Sequence, residues 1–364
     1  MSDAPATGLA LPLVSVIIPT FNRSNVLSYA IRSAIGQRFQ DFEVLVIGDA
    51  CTDDSEGVAA VAGDARLRWH NLEQRYGRQY GPVNVAFGLA RGRYVAYLGH
   101  DDLWLPNHLE HLVAALEAGQ ADLAYSAIEM VWGPTSSAVW ATDINTEGKR
   151  EDYFRANFIN PSCLVFRRDL VDELGPWLDP AQTGAPADWE FVQRACRAGK
   201  QFAFVPVLTS LKFPSWTRPG VYEERPCNEQ AARWELIQRY GDGYAHLAYQ
   251  RALAELETHA PVQAREIEIL RDQLAAVQQT AEAHAAGQAQ ELEVLRDQLA
   301  AVRQNAETHA GGQAQELEVL RDQLAAVQTE AVSLRQEISA LRRSLTWRAT
   351  EPIRRAFAWL PRWR

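Results

Sequence analysis

The sequence predicts an α/β domain with a mainly parallel sheet, followed by a long α-helical coiled coil. Short apolar runs rich in β-branched residues alternate with segments of helical periodicity over the first part of the chain. From Glu257 onward the composition changes and a block of sequence repeats. With 364 residues and 47% hydrophobic content, the chain can bury at least one large core, and its length predicts about two or three domains.

Four apolar runs near the start of the chain are typical of buried strands, and helical segments lie between them. The strands are predicted at 14–18, 43–47, 67–70 and 94–98, and the helices begin at Ser24 or Asn25, in the turn 52–55 and at Pro82. Ligands bind outside the carboxyl ends of parallel strands. We therefore expect the residues that follow three of these strands, at 20–23, 48–49 and 99–102, to line one crevice.

The rest of the domain follows from the same signals. Helices are expected at 107–117 and from Ala187, strands at 122–132, 138–142, 162–167 and 202–211, and a helical extension from about Cys227. These patterns divide the chain into a flexible N-terminus at 1–12, the α/β domain with its helical extension at 13–250, a coiled coil at 251–345 and a basic aromatic tail at 346–364.

The coiled-coil segment contains a 25-residue repeat. Residues 266–277 return with few changes as 291–302 and 316–327. Their apolar positions are spaced by three or four residues and include an eleven-residue element, which relaxes the left-handed supercoil. Because a lone helix would leave this apolar stripe in water, we expect a homo-oligomer through the coiled coil. A single solvated helix is the alternative.

The last 23 residues contain seven arginines and one acid, Glu351, with tryptophans interleaved. Such a segment suits an anionic membrane interface, so we expect membrane-surface contact by 347–364. Packing on a partner protein or on the coiled coil is the alternative.

Charge and cysteine content indicate the compartment. A net charge of −10 at pH 7 argues against nucleic acid as a partner. The four cysteines, Cys51, Cys163, Cys196 and Cys227, lie far apart and form no CxxC pair. This spacing is typical of reduced cytosolic thiols. The N-terminus lacks the features of a signal peptide, and no run approaches the roughly 20 apolar residues of a membrane span. We expect a cytoplasmic protein that is peripheral on the inner face of the cytoplasmic membrane.

Five short motifs follow one another in a fixed order. They are 14–23, 42–49 with Thr52 and Asp53, Asn84 ahead of 90–94, 98–106 with Leu109 and Glu110, and 174–177 leading to 187–190. Each is weak alone, but their order and spacing resemble the family-2 glycosyltransferases. The resemblance implies the GT-A fold of nucleotide-diphospho-sugar transferases, with a Rossmann-like mixed sheet.

The resemblance also implies a reaction and its residues. The reaction is inverting transfer of a sugar from a nucleotide-sugar donor to a hydroxyl of a glycan or lipid-linked acceptor, in cell-envelope or surface polysaccharide synthesis. Asp188 matches the catalytic base, and Asp101 matches the metal-binding acid of the DxD motif. A divalent cation, Mn²⁺ or Mg²⁺, is therefore implied. The nucleotide-binding positions that match are Pro19, Thr20, Asn22, Asp49 and Asp101.

Elementary chemistry favours the same roles. A departing diphosphate needs its growing negative charge neutralised, which a hard cation held by one or two carboxylates can do. The attacking hydroxyl must lose its proton to a carboxylate on the opposite face of the sugar. Four further side chains are candidates for a second shell or for contact with the sugar: His100, Asp102, Trp104 and Trp189.

Each candidate also has a plain structural interpretation. Asp101 and Asp102 can cap the helix that follows them, and Asp188 can be an ordinary acid at a helix start. His100 can face solvent. The two tryptophans can simply pack in the core.

The chain departs from the family pattern at three positions. Gly48, Gly99 and Ala187 stand where the family usually shows an acid, while the acid that follows each position is retained. The loss at Gly48 leaves the nucleobase undetermined among uracil, thymine and guanine. The loss at Gly99 lowers the expected strength of metal binding. The three losses also support an alternative function, a catalytically weakened transferase-like scaffold that organises partners through its coiled coil.

Overall fold

The strands of the first part of the chain join in one sheet. In the computed structural model the described residues are 11–133, 136–215 and 228–258, with isolated positions between 272 and 300. Within them the strands are β1 (Val14–Thr20), β2 (Phe42–Gly48), β3 (Leu67–Asn71), β4 (Tyr94–Tyr97), β5 (Leu103–Trp104), β6 (Leu123–Val131), β7 (Ser137–Trp140), β8 (Leu164–Arg167) and β9 (Phe202–Lys212). The strand order is β3-β2-β1-β4-β8-β6-β9-β5, and β7 pairs with β6.

Helices connect these strands and extend beyond them. They are α1 (Ser24–Ile35), α2 (Ser55–Val61), α3 (Tyr80–Leu89), α4 (His108–Ala118), α5 (Lys149–Tyr153), α6 (Leu170–Leu174), α7 (Pro180–Thr183), α8 (Ala187–Arg197), α9 (Asn228–Tyr240) and α10 (Gly243–Thr258). The chain divides into two compact units, residues 1–252 and 253–364.

The sheet is mixed, and not mainly parallel as the run of early elements predicted. Strands β1 to β4 pair in parallel, whereas β8 runs antiparallel to both β4 and β6. β6 and β9 are parallel, and β5 and β7 are antiparallel additions. An apolar run has the same composition in either direction, so the pattern of these strands could not reveal the direction of β8. The mixed sheet agrees with the family resemblance.

Helices cover both faces of the sheet because alternate residues of each strand point to opposite faces. On β1, Val16 and Ile18 belong to an apolar cluster that includes Leu27 of α1. Ile17 belongs to the cluster on the other face, which includes Phe191 of α8. All seven residues of β1 are buried, which places this strand at the centre of the domain.

Glu43 of β2 is a buried carboxylate that binds several neighbouring residues at one end of the sheet. It is 2% exposed and accepts a hydrogen bond of 2.8 Å from the Ser15 hydroxyl. It also forms ion pairs with Arg68 at 2.9 Å and Arg91 at 2.7 Å. Burial alone raises the pKa of Glu43, but bonds from Arg91 and Ser15 and the charge of Arg68 outweigh it and hold the pKa below the usual value.

The sequence predicted Ser24 or Asn25 as the N-cap of α1, but neither residue caps this helix. The backbone N–H of Ser24 donates instead to the Asp53 carboxylate at 2.9 Å, and no side chain of the preceding residue caps the helix. Asp53 also accepts a bond from the Ser55 hydroxyl at 2.6 Å. One carboxylate thus ties the start of α1 to the start of α2, a contact between distant residues that local sequence patterns do not encode.

Helix α10 docks on β6 through a buried carboxylate. Glu129 is 0% exposed and accepts a hydrogen bond of 2.6 Å from the Tyr244 hydroxyl. Arg251 donates to the same carboxylate at 3.1 Å. A buried charge needs such partners, so this contact fixes where the helical extension lies on the sheet.

The predicted coiled coil and basic tail lie almost wholly outside the described residues. Those that are described between 272 and 300 are helical. Within the described parts of the chain, no helix is long and apolar enough to cross a membrane.

Candidate active site

A cleft of about 590 Å³ opens at the carboxyl ends of β1, β2 and β4. Its walls include residues after all three strands, as the sequence predicted: Pro19, Thr20, Asn22, Asp49, Gly99, His100 and Asp101. The loop before α3 and the end of β9 complete the walls with Arg75, Gly77, Arg78, Gln79, Lys212 and Ser215. The structure therefore gathers every residue predicted to bind the nucleotide.

Asn22 holds the loop after β1 in shape. It has a positive φ of 47°, a conformation that asparagine tolerates better than most residues. Its side-chain oxygen accepts backbone N–H bonds from Thr52 at 2.8 Å and Asp53 at 3.2 Å. The first two strand ends are thereby fixed to one another at the edge of the cleft.

Asp49 fastens the opposite edge. It is 4% exposed, and its two carboxylate oxygens accept bonds from the backbone N–H groups of Tyr76 at 2.7 Å and Gly77 at 2.8 Å. In this structure the carboxylate orders the loop before α3, and its part in nucleotide binding stays a prediction.

Gly48 stands at a position with no room for a side chain. An added Cβ would meet the side-chain oxygen of Asn71 and lie 2.8 Å from the ring of Trp69. Asn71 cannot move away freely, because it exchanges two hydrogen bonds with the backbone of Cys51. Side chains of β3 thus occupy the space that the acid expected from the family pattern would need.

The position of the Asp102 carboxylate explains why residue 99 is a glycine and not an acid. A Cβ on Gly99 would lie 2.6 Å from a carboxylate oxygen of Asp102. Asp102 is 0% exposed and is held by the Ser162 hydroxyl, by Lys212 at 3.0 Å and by the backbone N–H of Phe213 at 3.1 Å. Asp102 is thus a buried structural acid, whereas Asp101 lines the cleft. Neither acid caps α4, whose N-cap residue is Asn107.

Two buried polar atoms in the cleft wall have no hydrogen-bond partner among the described residues. They are the Thr20 hydroxyl oxygen and His100 Nε2. The other ring nitrogen of His100, Nδ1, lies 3.2 Å from the carbonyl oxygen of Pro19. Because a carbonyl only accepts, Nδ1 carries the hydrogen. Burial lowers the pKa of His100, so the ring is neutral and Nε2 presents a lone pair.

These donors fit a divalent cation that takes only one or two of its ligands from side chains of the protein. Asp101 supplies a carboxylate and His100 an unpartnered nitrogen in the same wall. No group of three or more His, Cys, Asp and Glu side chains is gathered for a metal in the part of the chain that the structure describes. A cation that keeps waters and phosphate oxygens as ligands needs only one or two side chains.

Asp188, the predicted base, lies in the first turn of α8 and is 7% exposed. The Gln79 amide donates to one of its oxygens at 2.9 Å, and the Asn157 amide donates to the other at 3.3 Å. Burial raises the pKa of Asp188 and outweighs the lowering by its own backbone N–H, by Lys212 and by Asn157. Because Gln79 lines the cleft, the Asp188 carboxyl lies one hydrogen bond from a residue of the cleft wall.

The cations of the cleft were not predicted from the sequence. Arg75 stacks on the ring of Phe21 at 3.7 Å, and both line the cleft. Arg78 and Lys212 line it as well. The signal available was weak, because the two arginines lie in a loop without a strand pattern. Lys212 is the last residue of the long strand β9, and nothing in the strand pattern marks it as a site residue.

Neither tryptophan lines the cleft. Trp104 is 1% exposed, donates from its indole to the Ser162 carbonyl at 2.6 Å and stacks on His108 at 4.3 Å. It packs in the core and is not available to a sugar, which corrects that candidate role. Trp189 is half-buried and donates to the Tyr153 carbonyl at 2.8 Å.

The comparisons with known proteins agree with this geometry. Residues 15–175 match the model of Glycosyl transferase family 2. An uncharacterized glycosyltransferase of Rickettsia felis is 30% identical over 164 residues, which are 44% of this chain and 26% of that protein. The UDP-Glc:alpha-D-GlcNAc-diphosphoundecaprenol beta-1,3-glucosyltransferase WfgD of Escherichia coli is 29% identical over 119 residues, 33% of this chain and 47% of that protein. The chain thus spans less than half of the length of these two relatives.

Among solved structures, that of S. aureus TarS 1–349 in complex with UDP-GlcNAc has a TM-score of 0.49 and 19% identity, covering 68% of this chain and 72% of that chain.

The matched residues contain β1, β2, β4 and the 99–102 loop, and so most of the cleft. Asp188 lies beyond the match, so its role as the base stays a prediction. The resemblance stated from the motifs is confirmed for this part of the chain. Residues 15–175 are a Glycosyl transferase family 2 domain of GT-A-like α/β fold.

Proposed function

We propose that the chain is an inverting glycosyltransferase that moves a sugar from a nucleotide diphosphate to an acceptor hydroxyl. The observation that carries this proposal is the placement of two acids around one cleft. Asp101 lines it, and Asp188 lies behind it with a pKa raised by burial. A base with a raised pKa suits proton transfer better than an ordinary aspartate, because its basicity is closer to the operating pH.

In the proposed reaction the nucleotide lies along Pro19, Thr20 and Asn22. Asp101, with His100 beside it, would hold the divalent cation whose charge stabilises the leaving diphosphate. The Arg78 guanidinium forms no hydrogen bond or ion pair with any described residue, which leaves it available to phosphate oxygens.

Asp188 accepts the proton of the acceptor hydroxyl as its oxygen attacks the anomeric carbon. The bond between that carbon and the diphosphate oxygen breaks, and the electron pair leaves with the nucleoside diphosphate. Attack from the face opposite the leaving group inverts the configuration. Gln79 and Asn157 orient the carboxyl for this step through their amide bonds.

We propose a UDP-sugar as donor and a polyprenol-diphosphate-linked sugar as acceptor, on the example of the E. coli relative whose name states both. An acceptor of this kind lies at a membrane surface. The arginine- and tryptophan-rich segment 347–364 suits such a surface, so we also propose peripheral attachment through it. Binding to anionic vesicles tests this attachment. Binding should be lost when the arginines of 347–364 are replaced and retained after a matched change elsewhere.

Transfer is tested with the purified full chain, a panel of UDP-, dTDP- and GDP-sugars, Mn²⁺ or Mg²⁺ and a polyprenol-diphosphate-linked acceptor. Asp188→Asn is expected to lower the transfer rate by about 10² to 10⁴-fold while UDP binding persists. The matched control is Asp172→Asn, since Asp172 is an exposed acid on α6. An active Asp188→Asn enzyme would remove Asp188 from the reaction. Failure of every donor would favour the scaffold alternative.

A further inference from the structure

His100 has one ring nitrogen engaged and the other left over. Its Nδ1 donates to the Pro19 carbonyl, which fixes the ring and leaves the Nε2 lone pair. Nε2 is buried and has no hydrogen-bond partner among the described residues. Leaving a buried polar atom without a hydrogen bond is destabilising, so such atoms in native proteins call for a ligand or another purpose.

The neighbouring acids limit what else can bind a cation here. Asp102 is occupied by Ser162, Lys212 and the backbone of Phe213, and Gly99 supplies no side chain. The side chains with metal-binding groups that line the cleft at this loop are therefore Asp101, with one carboxylate, and His100, with one imidazole. A histidine whose other nitrogen donates to a backbone carbonyl has the usual environment of a metal ligand.

We propose that His100 Nε2 and Asp101 bind one divalent cation together, and that the cleft consequently selects Mn²⁺ over Mg²⁺. Imidazole nitrogen suits transition metals, whereas Mg²⁺ prefers an all-oxygen shell. The histidine thus takes the place of the acid that the motif lost at Gly99. This inference rests on the proposed transfer from a nucleotide diphosphate and adds to it the identity of the second ligand.

The direct test is pulsed electron paramagnetic resonance of Mn²⁺ bound to the full chain, with and without UDP. We expect electron spin echo modulation from a directly coordinated nitrogen. The signal should disappear in His100→Ala and persist in the matched control His70→Ala, because His70 is an exposed histidine on β3 outside the cleft. The wild-type spectrum tests the proposal even if His100→Ala fails to fold.

Calorimetry supplies a second readout. Loss of the nitrogen should weaken Mn²⁺ binding by about tenfold or more, while Mg²⁺ binding changes by less than about twofold. His100→Asp supplies an oxygen ligand and should shift the preference toward Mg²⁺. Circular dichroism confirms that each variant is folded.

Four results would overturn the proposal. Three are a wild-type Mn²⁺ spectrum without nitrogen modulation, no protein-bound Mn²⁺ in either sample, and an equal loss of both cations in His100→Ala. The fourth is a loss of UDP affinity with unchanged Mn²⁺ affinity, which would assign Nε2 to the nucleotide. These outcomes are separate from the proposed function, because transfer of a sugar is measured independently of the ligand spectrum.

Discussion

Gly99→Ala tests whether Asp102 occupies the space of the missing acid. The added Cβ would lie 2.6 Å from a carboxylate oxygen of Asp102. That carboxylate cannot swing aside cheaply, since Ser162, Lys212 and Phe213 all bind it. Overpacking of this kind costs about 1–3 kcal/mol, and each weakened hydrogen bond adds about 0.5–1.5 kcal/mol. We expect the free energy of unfolding to fall by about 2–3 kcal/mol.

The assay is urea unfolding followed by tryptophan fluorescence, in which Trp104 reports locally because its indole donates to the Ser162 carbonyl. Gly88→Ala is the matched control, because a Cβ on Gly88 within α3 meets nothing within 4 Å. Removing this glycine from a helix should raise stability by up to about 1 kcal/mol.

A double-mutant cycle isolates the contact. In an Asp102→Ala background the cost of Gly99→Ala should fall below about 0.5 kcal/mol, because the opposing oxygen is gone. The explanation is refuted if Gly99→Ala is as stable as the wild type, or if its cost is the same with and without Asp102.

Glu43→Gln should lower the free energy of unfolding by about 2–4 kcal/mol at pH 7, less than for a fully buried pair because both arginines are partly exposed. The folded-state pKa of Glu43 is below the usual value of 4.5, so the stability that Glu43 contributes is present above pH 4.5 and is lost as the pH falls through the lower, folded-state pKa. Urea unfolding from pH 7 to 3 should show this slope in the wild type and a reduced slope in the variant. Because burial raises the pKa of Asp188, kcat/KM for transfer should begin to fall, on acidification, at a higher pH than for an ordinary aspartate with pKa 3.8; a decline confined to lower pH would contradict its role as base. Gly48→Ala should lower stability by about 1–3 kcal/mol by pushing on Trp69 and Asn71, and an unchanged unfolding midpoint would show that this packing yields easily.

Much of the fold could be predicted because its strands are strongly apolar. β1 and β2 lie where their β-branched runs indicated, extended by one or two residues. β5 was missed, since it has two residues and exists only through pairing of Leu103 with Leu211, a contact between distant positions. The capping of α1 by Asp53 was missed for the same reason.

The candidate site could be predicted where a motif places a residue at a strand end. Asp101 was correctly expected in the crevice because it lies in the loop that follows β4. What could not be predicted was the division of labour between Asp101 and Asp102, since it depends on Lys212 and Phe213 arriving from another strand. Sequence spacing likewise gives no sign that Gln79 reaches Asp188.

The two groups that hold the Asp188 carboxyl are both amides, from Gln79 and Asn157. Amides do not titrate near neutral pH, so neither can relay a proton. In the proposed reaction the proton captured by Asp188 finds, among the described residues, no ionisable side chain hydrogen-bonded to the carboxyl that could pass it on. It must escape to water through the cleft, along the way by which the products leave. Recharging of the base is then coupled to emptying of the cleft, and a slow product would hold back the next proton transfer as well as the next substrate.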